Sequence, residues 1–341
     1  MSFINNINCT NPHHFLKMDD VAEPAHENPV HTPIPKIYPT GSLRLDIALG
    51  LGGIPSGVVV EIIAPETGGK TTLALHTIAA AQKMGGICGF IDSDRSFDPI
   101  YAQRCGVRLE QLYFSQPEGE EQALDIAERL VETGAISILV LDSLTSLVPY
   151  RNLTRPFDDL AGANTNDFLD TDQELLSRTL RRVSGNLRRN GTTIIFTNQA
   201  SRQMSAIYHQ LAIHPERLAL KLNASIRMRL SPLLTLLADG QACGVRIRSQ
   251  IIKNKFAPCL HPIDFDIIHC QGIDKTGEVL DLGVRCNLIQ QRNDGIYFQN
   301  ERLGKTFSEA IRGMSQNIII QDFIEKAIRQ LLIPDINSAA T

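Results

Sequence analysis

From Gly41 onward, short apolar runs alternate with amphipathic stretches. Val58–Ile63, Ile87–Ile91, Ile136–Leu141 and Thr192–Thr197 read as strands covered on both faces. Between them Thr71–Lys83, about Glu120–Thr133 and about Gln173–Arg189 carry apolar residues at helical spacing. Strands alternating with helices predict parallel β-α units, so the expected fold is α/β, a mostly parallel central sheet with helices on both faces. In the second helix Ala123, Leu124, Ala127, Leu130 and Val131 form a core-facing stripe. In the third, Leu176, Leu180, Val183 and Leu187 line one side; Arg178, Arg182 and Arg189 lie opposite, with Arg181 and Arg188 flanking.

The pattern also divides the chain. Residues 1–39 carry Pro24, Pro29, Pro33, Pro35 and Pro39 among His13, His14, His26 and His31 with no strand or helix period, which predicts an irregular arm. The alternating region, 40–273, is expected to be the core. After Asp274 a Gly-rich mixture ending in the helical stretch Ile318–Leu332 predicts a small α+β C-terminal domain over 274–341.

Composition narrows the class. Of 341 residues 43% are hydrophobic and 21% charged, and no apolar run approaches the roughly 20 residues that cross a bilayer. The N-terminus has no apolar leader, and the seven cysteines form no C-x-x-C pair, so a reducing cytoplasm is expected. A net charge of −4 means that any contact with nucleic acid must come from local patches.

The chemistry concentrates at strand ends. Ala64-Pro65-Glu66-Thr67-Gly68-Gly69-Lys70-Thr71-Thr72 lies between a strand and a helix and follows the phosphate-loop pattern G-x-x-x-x-G-K-[ST], with alanine at its first glycine. Small residues let main-chain N–H groups converge on phosphate oxygens at a helix N-terminus. Lys70 is then expected to reach the β- and γ-phosphates, and Thr71 to hold Mg²⁺. Ile138-Leu139-Val140-Leu141-Asp142 supplies the carboxylate that such a site needs at a neighbouring strand end. Either carboxylate of Asp92-Ser93-Asp94 could orient a water, and Ile194-Ile195-Phe196-Thr197-Asn198-Gln199 ends in two amides suited to sensing a γ-phosphate.

Further segments carry a resemblance. Thr40-Gly41-Ser42-Leu43-Arg44-Leu45-Asp46-Ile47-Ala48-Leu49-Gly50, the phosphate loop, Asp98-Pro99-Ile100-Tyr101-Ala102, Ser115-Gln116-Pro117, Gly185-Asn186-Leu187, Lys253-Asn254-Lys255 and Gly277-Glu278-Val279-Leu280-Asp281-Leu282-Gly283-Val284 resemble, in order, the bacterial RecA family of DNA strand-exchange ATPases. The similarity runs over about residues 38 to 333.

That resemblance implies a single-stranded-DNA-binding recombinase acting in homologous recombination, DNA repair and the SOS response to DNA damage. ATP and Mg²⁺ would be its cofactors. Its partners would be single-stranded DNA, duplex DNA during exchange, and further copies of itself or of another RecA-like protein in a filament. The nucleotide would be held by Glu66, Thr67, Gly68, Gly69, Lys70, Thr71 and Thr72, its adenine by Asp98 and Tyr101, and its metal by Thr71 and Asp142. Asp94 matches the water-positioning acid and Gln199 the γ-phosphate sensor. Lys253 and Lys255 match the pair that reaches a neighbouring subunit's ATP. Arg181, Ile207 and Tyr208 fall on DNA-contacting positions. An alternative is a RecA-like nucleotide-binding module, regulatory or structural, that does not exchange strands.

Departures from the family cluster at functional places. Asp94 replaces a glutamate, which predicts slow hydrolysis. Leu211-Ala212-Ile213-His214-Pro215-Glu216-Arg217 replaces a threonine- and glycine-rich DNA loop, Glu174 an arginine and Leu222 an interface aromatic. The family's N-terminal docking helix has no counterpart in the Pro-rich arm.

Overall fold

The computed structural model describes residues 35–144, 165–199, 218–238, 240–259 and 261–333, without the side chains of 165–174. Of the N-terminal arm, residues 1–34 lie outside them. Fourteen strands and nine α-helices are present among the described residues. The expected α/β architecture is there, built on a nine-stranded sheet of order β11-β10-β9-β8-β3-β7-β6-β4-β5.

The strands β3 (Val59–Ala64), β4 (Ile87–Asp92), β5 (Leu112–Ser115), β6 (Ile136–Asp142) and β7 (Thr193–Gln199) form its parallel part. β8 (Ile226–Ala238) continues it beside β3. Then β9 (Gln241–Asn254), β10 (Ile263–Ile268) and β11 (Gly272–Ile273) add on antiparallel. The apolar runs locate β3, β4, β6 and β7 within a residue or two, whereas β5 matches none of them. Three strands end on the polar residues that follow those runs, Asp92, Asp142 and Gln199. The short pair β1 (Ile37–Tyr38) and β2 (Ile54–Pro55) stands apart.

Alternation within the strands covers both faces of the sheet. Val60, Ile62 and Ala64 pack with Leu73, Leu75 and Ile78 of α2 (Lys70–Lys83). On the other face Val59, Leu139, Leu141 and Phe196 meet Ala123, Leu124, Ala127 and Val131 of α4 (Glu120–Glu132). Leu176, Leu180, Val183 and Leu187 of α5 (Thr165–Asn190) and Ala219 and Leu220 of α6 (Leu218–Asn223) complete that cluster. The predicted stripe of α5 is therefore its core side, and the helix starts eight residues earlier than the periodicity suggests (173 − 165). A 3₁₀ turn, Leu109–Gln111, follows α3 (Pro99–Arg104).

The C-terminal residues build a cluster of their own. β12 (Ile289–Arg292), β13 (Gly295–Phe298) and β14 (Glu301–Gly304) make a separate antiparallel sheet. It packs with α7 (Lys275–Arg285), α8 (Phe307–Gln316) and α9 (Ile318–Leu332) around Val279, Leu280, Ile289, Met314, Ile324 and Ile328. Leu43 of the short helix α1 (Leu43–Ala48) joins them, and polar contacts of this helix fasten the two parts. Ser42 Oγ donates to Glu278 at 2.8 Å, Arg44 meets Asp281 at 2.5 Å, and Arg329 meets Asp46 at 2.6 Å.

Asp46 is fully buried and also accepts from the N–H and hydroxyl of Thr40. Burial pushes its carboxyl above the usual range even with Arg329 beside it. Arg329→Met would leave that carboxylate without its cation, a loss of about 3–5 kcal/mol in urea denaturation. A loss near that of an exposed ion pair, under about 1 kcal/mol, would show that Asp46 is satisfied by Thr40 alone.

Candidate nucleotide-binding site

Three polar residues and the phosphate loop end adjacent strands. In the order β3-β7-β6-β4, Ala64 pairs with Gln199, Leu141 with Phe196, and Asp92 with Asp142, so the phosphate loop, an amide and two carboxylates share one edge of the sheet. This is the carboxyl edge of the parallel strands, where open α/β sheets place their ligands.

The loop itself is curled by two left-handed residues, Thr67 at φ 60° and Gly69 at φ 82°. Such a turn gathers main-chain N–H groups into a concave nest. The Gly68 N–H donates back to the Pro65 carbonyl at 3.0 Å, and Gly69 opens α2, presenting the positive end of its dipole. A Cβ at Gly68 would come within 2.8 Å of the Ala64 methyl, and one at Gly69 within 2.6 Å of Ile267 Cδ1. Ala64 is the last residue of β3, with no left-handed φ, so it carries a methyl without strain. Glu66 and Thr67 form the exposed rim, while Lys70 and Thr71 are half-buried below it.

Thr71 and Asp142 come together as the spacing suggests. The Thr71 hydroxyl donates to Asp142 Oδ2 at 2.5 Å, and the Thr197 hydroxyl of β7 donates to Oδ1. Burial pushes the Asp142 carboxyl above its usual range, the two hydroxyls and Lys70 pull it down, and Asp94 adds to the upward push. A buried carboxylate and a hydroxyl, both hard oxygen donors, fit a divalent cation whose charge would offset that burial.

Asp92 and Asp94 separate clearly. Asp92 is buried and consumed, accepting from the N–H groups of Ser96 and Phe97 at 3.2 and 3.1 Å and from Gln116 at 2.9 Å. It shapes the loop after β4, and the Phe97 ring then packs at a tilt against those of Phe90 and Phe114. Asp94 is half-buried and turns to the end of β6, accepting from Ser143 Oγ at 3.1 Å and from the Ser143 N–H at 3.4 Å.

Beside the loop a cavity of about 320 Å³ is lined by Gly69, Thr72, Tyr101, Val245, Ile267 and His269, among others. Tyr101 and Thr72 share a hydroxyl hydrogen bond of 2.9 Å, and burial pushes the tyrosine up to about 12. Asp98 caps α3 through the N–H groups of Ile100 and Tyr101, which fixes the turn that aims Tyr101 at the cavity. Sequence reasoning missed Val245, Ile267 and His269, because β9 and β10 bring them in from over 140 residues away (245 − 101).

Other expected positions lie elsewhere. Lys253 and Lys255 sit at the far end of the sheet: Lys253 pairs with Arg227, and the Lys255 N–H donates to Ser225, whose own N–H donates to Val59. Lys253 Nζ donates to the carbonyls of Lys221 and Leu222 at the end of α6. Leu222 is 66% exposed. Arg181 lies exposed on α5, whereas Arg182 reaches Glu128 of α4 at 3.5 Å. Ile207, Tyr208 and residues 211–217 fall outside the described residues, as does the side chain of Glu174.

A strand–loop–helix phosphate loop with a hydroxyl–carboxylate pair, on a mostly parallel sheet, defines the P-loop nucleotide-binding class. Within that class, the model of the RecA N-terminal domain matches residues 28–274. The RecA protein of Roseiflexus castenholzii is 40% identical over 295 residues, covering 86% of this chain and 81% of its own length. That of Rubrobacter xylanophilus is 40% identical over 293 residues (86% and 83%), and that of Rhodospirillum rubrum 40% over 290 (85% and 77%). The chain belongs to the RecA family of recombinases. The identity extends well past the phosphate site, which favours a recombinase over a module that merely keeps a nucleotide. Among the described residues no helix is long and apolar enough to cross a membrane.

Proposed function

We propose that this chain is a DNA-dependent ATPase that turns over only when assembled on single-stranded DNA. The observation that carries this reading is a separation: the phosphate loop lies at one end of the central strands, and Lys253 and Lys255 at the other. One protomer therefore holds a nucleotide and offers its lysines to a different one.

In this reading the loop from Glu66 to Thr72 cradles the phosphates, and Asp98 and Tyr101 form the adenine side of the cavity. Thr71 and Asp142 would hold Mg²⁺, which when bound neutralises phosphate charge. Asp94 takes the proton from the attacking water as its oxygen bonds to the γ-phosphorus and the bond to ADP breaks. Lys70 in the same protomer and Lys253 and Lys255 from a neighbour stabilise the charge on the transferring group. Gln199 reports the γ-phosphate to the segment after β7, where Ile207 and Tyr208 would stack on bases, while Arg181 meets the DNA backbone.

ATP turnover measured with and without single-stranded DNA, over a range of salt and beside filament imaging, tests this. DNA should stimulate turnover, and the stimulation should fall steeply with salt as phosphate contacts are lost. Saturable nucleotide binding without DNA response or filaments would remove the proposal.

A further inference from the structure

Glu61 interrupts the most buried strand of the sheet. Its neighbours in β3 are Val60 and Ile62, both with no exposure, and Glu61 has none either. A charge in such a place is retained only where it is paired and hydrogen-bonded. Its two oxygens are used in opposite directions across the sheet. Oε1 accepts from Asn198 Nδ2 of β7 at 2.5 Å, and Oε2 accepts from Arg227 Nε of β8 at 2.5 Å. Asn198 and Arg227 are themselves buried, at 8% and 3% exposure.

The ends of this row adjoin two functional positions. Asn198 precedes Gln199, and alternation turns the two side chains to opposite faces of β7. Arg227 pairs directly with Lys253, and Lys253 closes the carbonyl end of α6, the first described element after residue 217. Asn198, Glu61, Arg227 and Lys253 thus cross four adjacent strands, on the face that carries α4, α5 and α6.

We infer, on the strength of the roles proposed above for Gln199 and Lys253, that Asn198, Glu61 and Arg227 form a positioning relay joining the γ-phosphate sensor to the lysines offered to the neighbouring protomer. A nucleotide-dependent shift of the β7 end would pull on Asn198, and the rigid pair Glu61–Arg227 would carry it to the strand register of Lys253 and to α6. An apolar trio would pack this space equally well but would transmit no directional constraint between β7 and β9.

The experiment compares full-length proteins. Removing one partner of the ion pair strands the other's charge, whereas apolar residues of similar volume at both positions keep such sites folded. The double variant Glu61→Met with Arg227→Leu, and separately Asn198→Leu, which leaves the ion pair whole, would be assayed for ATP turnover with and without single-stranded DNA. Binding of a fluorescent ATP analogue and thermal unfolding would be followed in parallel. Both variants should keep nucleotide affinity but lose DNA-stimulated turnover by about tenfold or more, the scale of a coupling between sites. Arg227→Lys, which keeps the cation, should retain most of the stimulation. Should the double variant fail to fold, Asn198→Leu decides alone. Stimulation of Asn198→Leu equal to wild type would overturn the relay and leave the proposed function standing. A wild-type protein that DNA does not stimulate would overturn both.

Discussion

Lys253→Ala together with Lys255→Ala should lower DNA-stimulated ATP turnover by about 10³-fold or more, the scale of a cation supplied in trans to phosphoryl transfer, with nucleotide affinity nearly unchanged. The reason is geometric. Lys255 is level with Val59 at the start of β3, and the phosphate loop begins after Ala64 at its end. Five residues of strand separate them, about 17 Å at roughly 3.3 Å per residue. In its own protomer, moreover, Lys253 Nζ is engaged by two carbonyls of α6. Burial, with Lys255 and Arg227 nearby, holds that amine below its ordinary range, so an approaching phosphate would strengthen its charged form. Mixing the double variant with Lys70→Ala, each inactive alone, should recover part of the turnover, because some interfaces then join an intact loop to intact lysines. Because Lys253→Ala also opens the end of α6, Lys253→Arg serves as the control that keeps a donor there. Full turnover in the double variant, or no recovery on mixing, would place the essential charge elsewhere.

The residues that make up this separation differ in how far the sequence reveals them. Val59–Ala64, Ile136–Asp142 and Thr193–Gln199 are legible because a strand covered on both faces must be a continuous apolar run, and the polar residue ending it marks the ligand edge. The loop is legible because its turn demands small residues at fixed spacing. Lys253 and Lys255 are recognisable by family pattern, but their distance from the loop depends on β8 running parallel to β3 and β9 turning back, which no local pattern encodes. The cavity wall from Val245, Ile267 and His269 was missed for the same reason. Glu61 did leave a signal, a lone carboxylate inside an apolar run, but its partners Asn198 and Arg227 come from strands more than 130 residues away. Asp92 and Asp94 read alike in the sequence; only the fold of residues 93–97 onto Asp92 tells the structural carboxylate from the one facing Asp142.

Asp94→Glu should accordingly raise turnover, by up to about 10²-fold, the effect of moving a catalytic group by around 1 Å. Asp94 reaches the site from the loop after β4, whose path is fixed by Asp92, so the backbone cannot follow a shorter side chain inward. Its carboxylate is held against Ser143, beside Asp142. One added methylene would advance it by roughly 1.5 Å, toward the attacking water of the proposed mechanism. Because only the reacting geometry changes, kcat should rise while KM and nucleotide affinity stay level. Asp94→Asn, which keeps the length but cannot take the proton, should fall well below wild type. If Asp94→Glu instead left kcat unchanged while the wild-type chain already matched relatives that carry glutamate, the shorter side chain would be compensated within the site. The opposing carboxylate Asp142, and not the length of residue 94, would then set where the water is held.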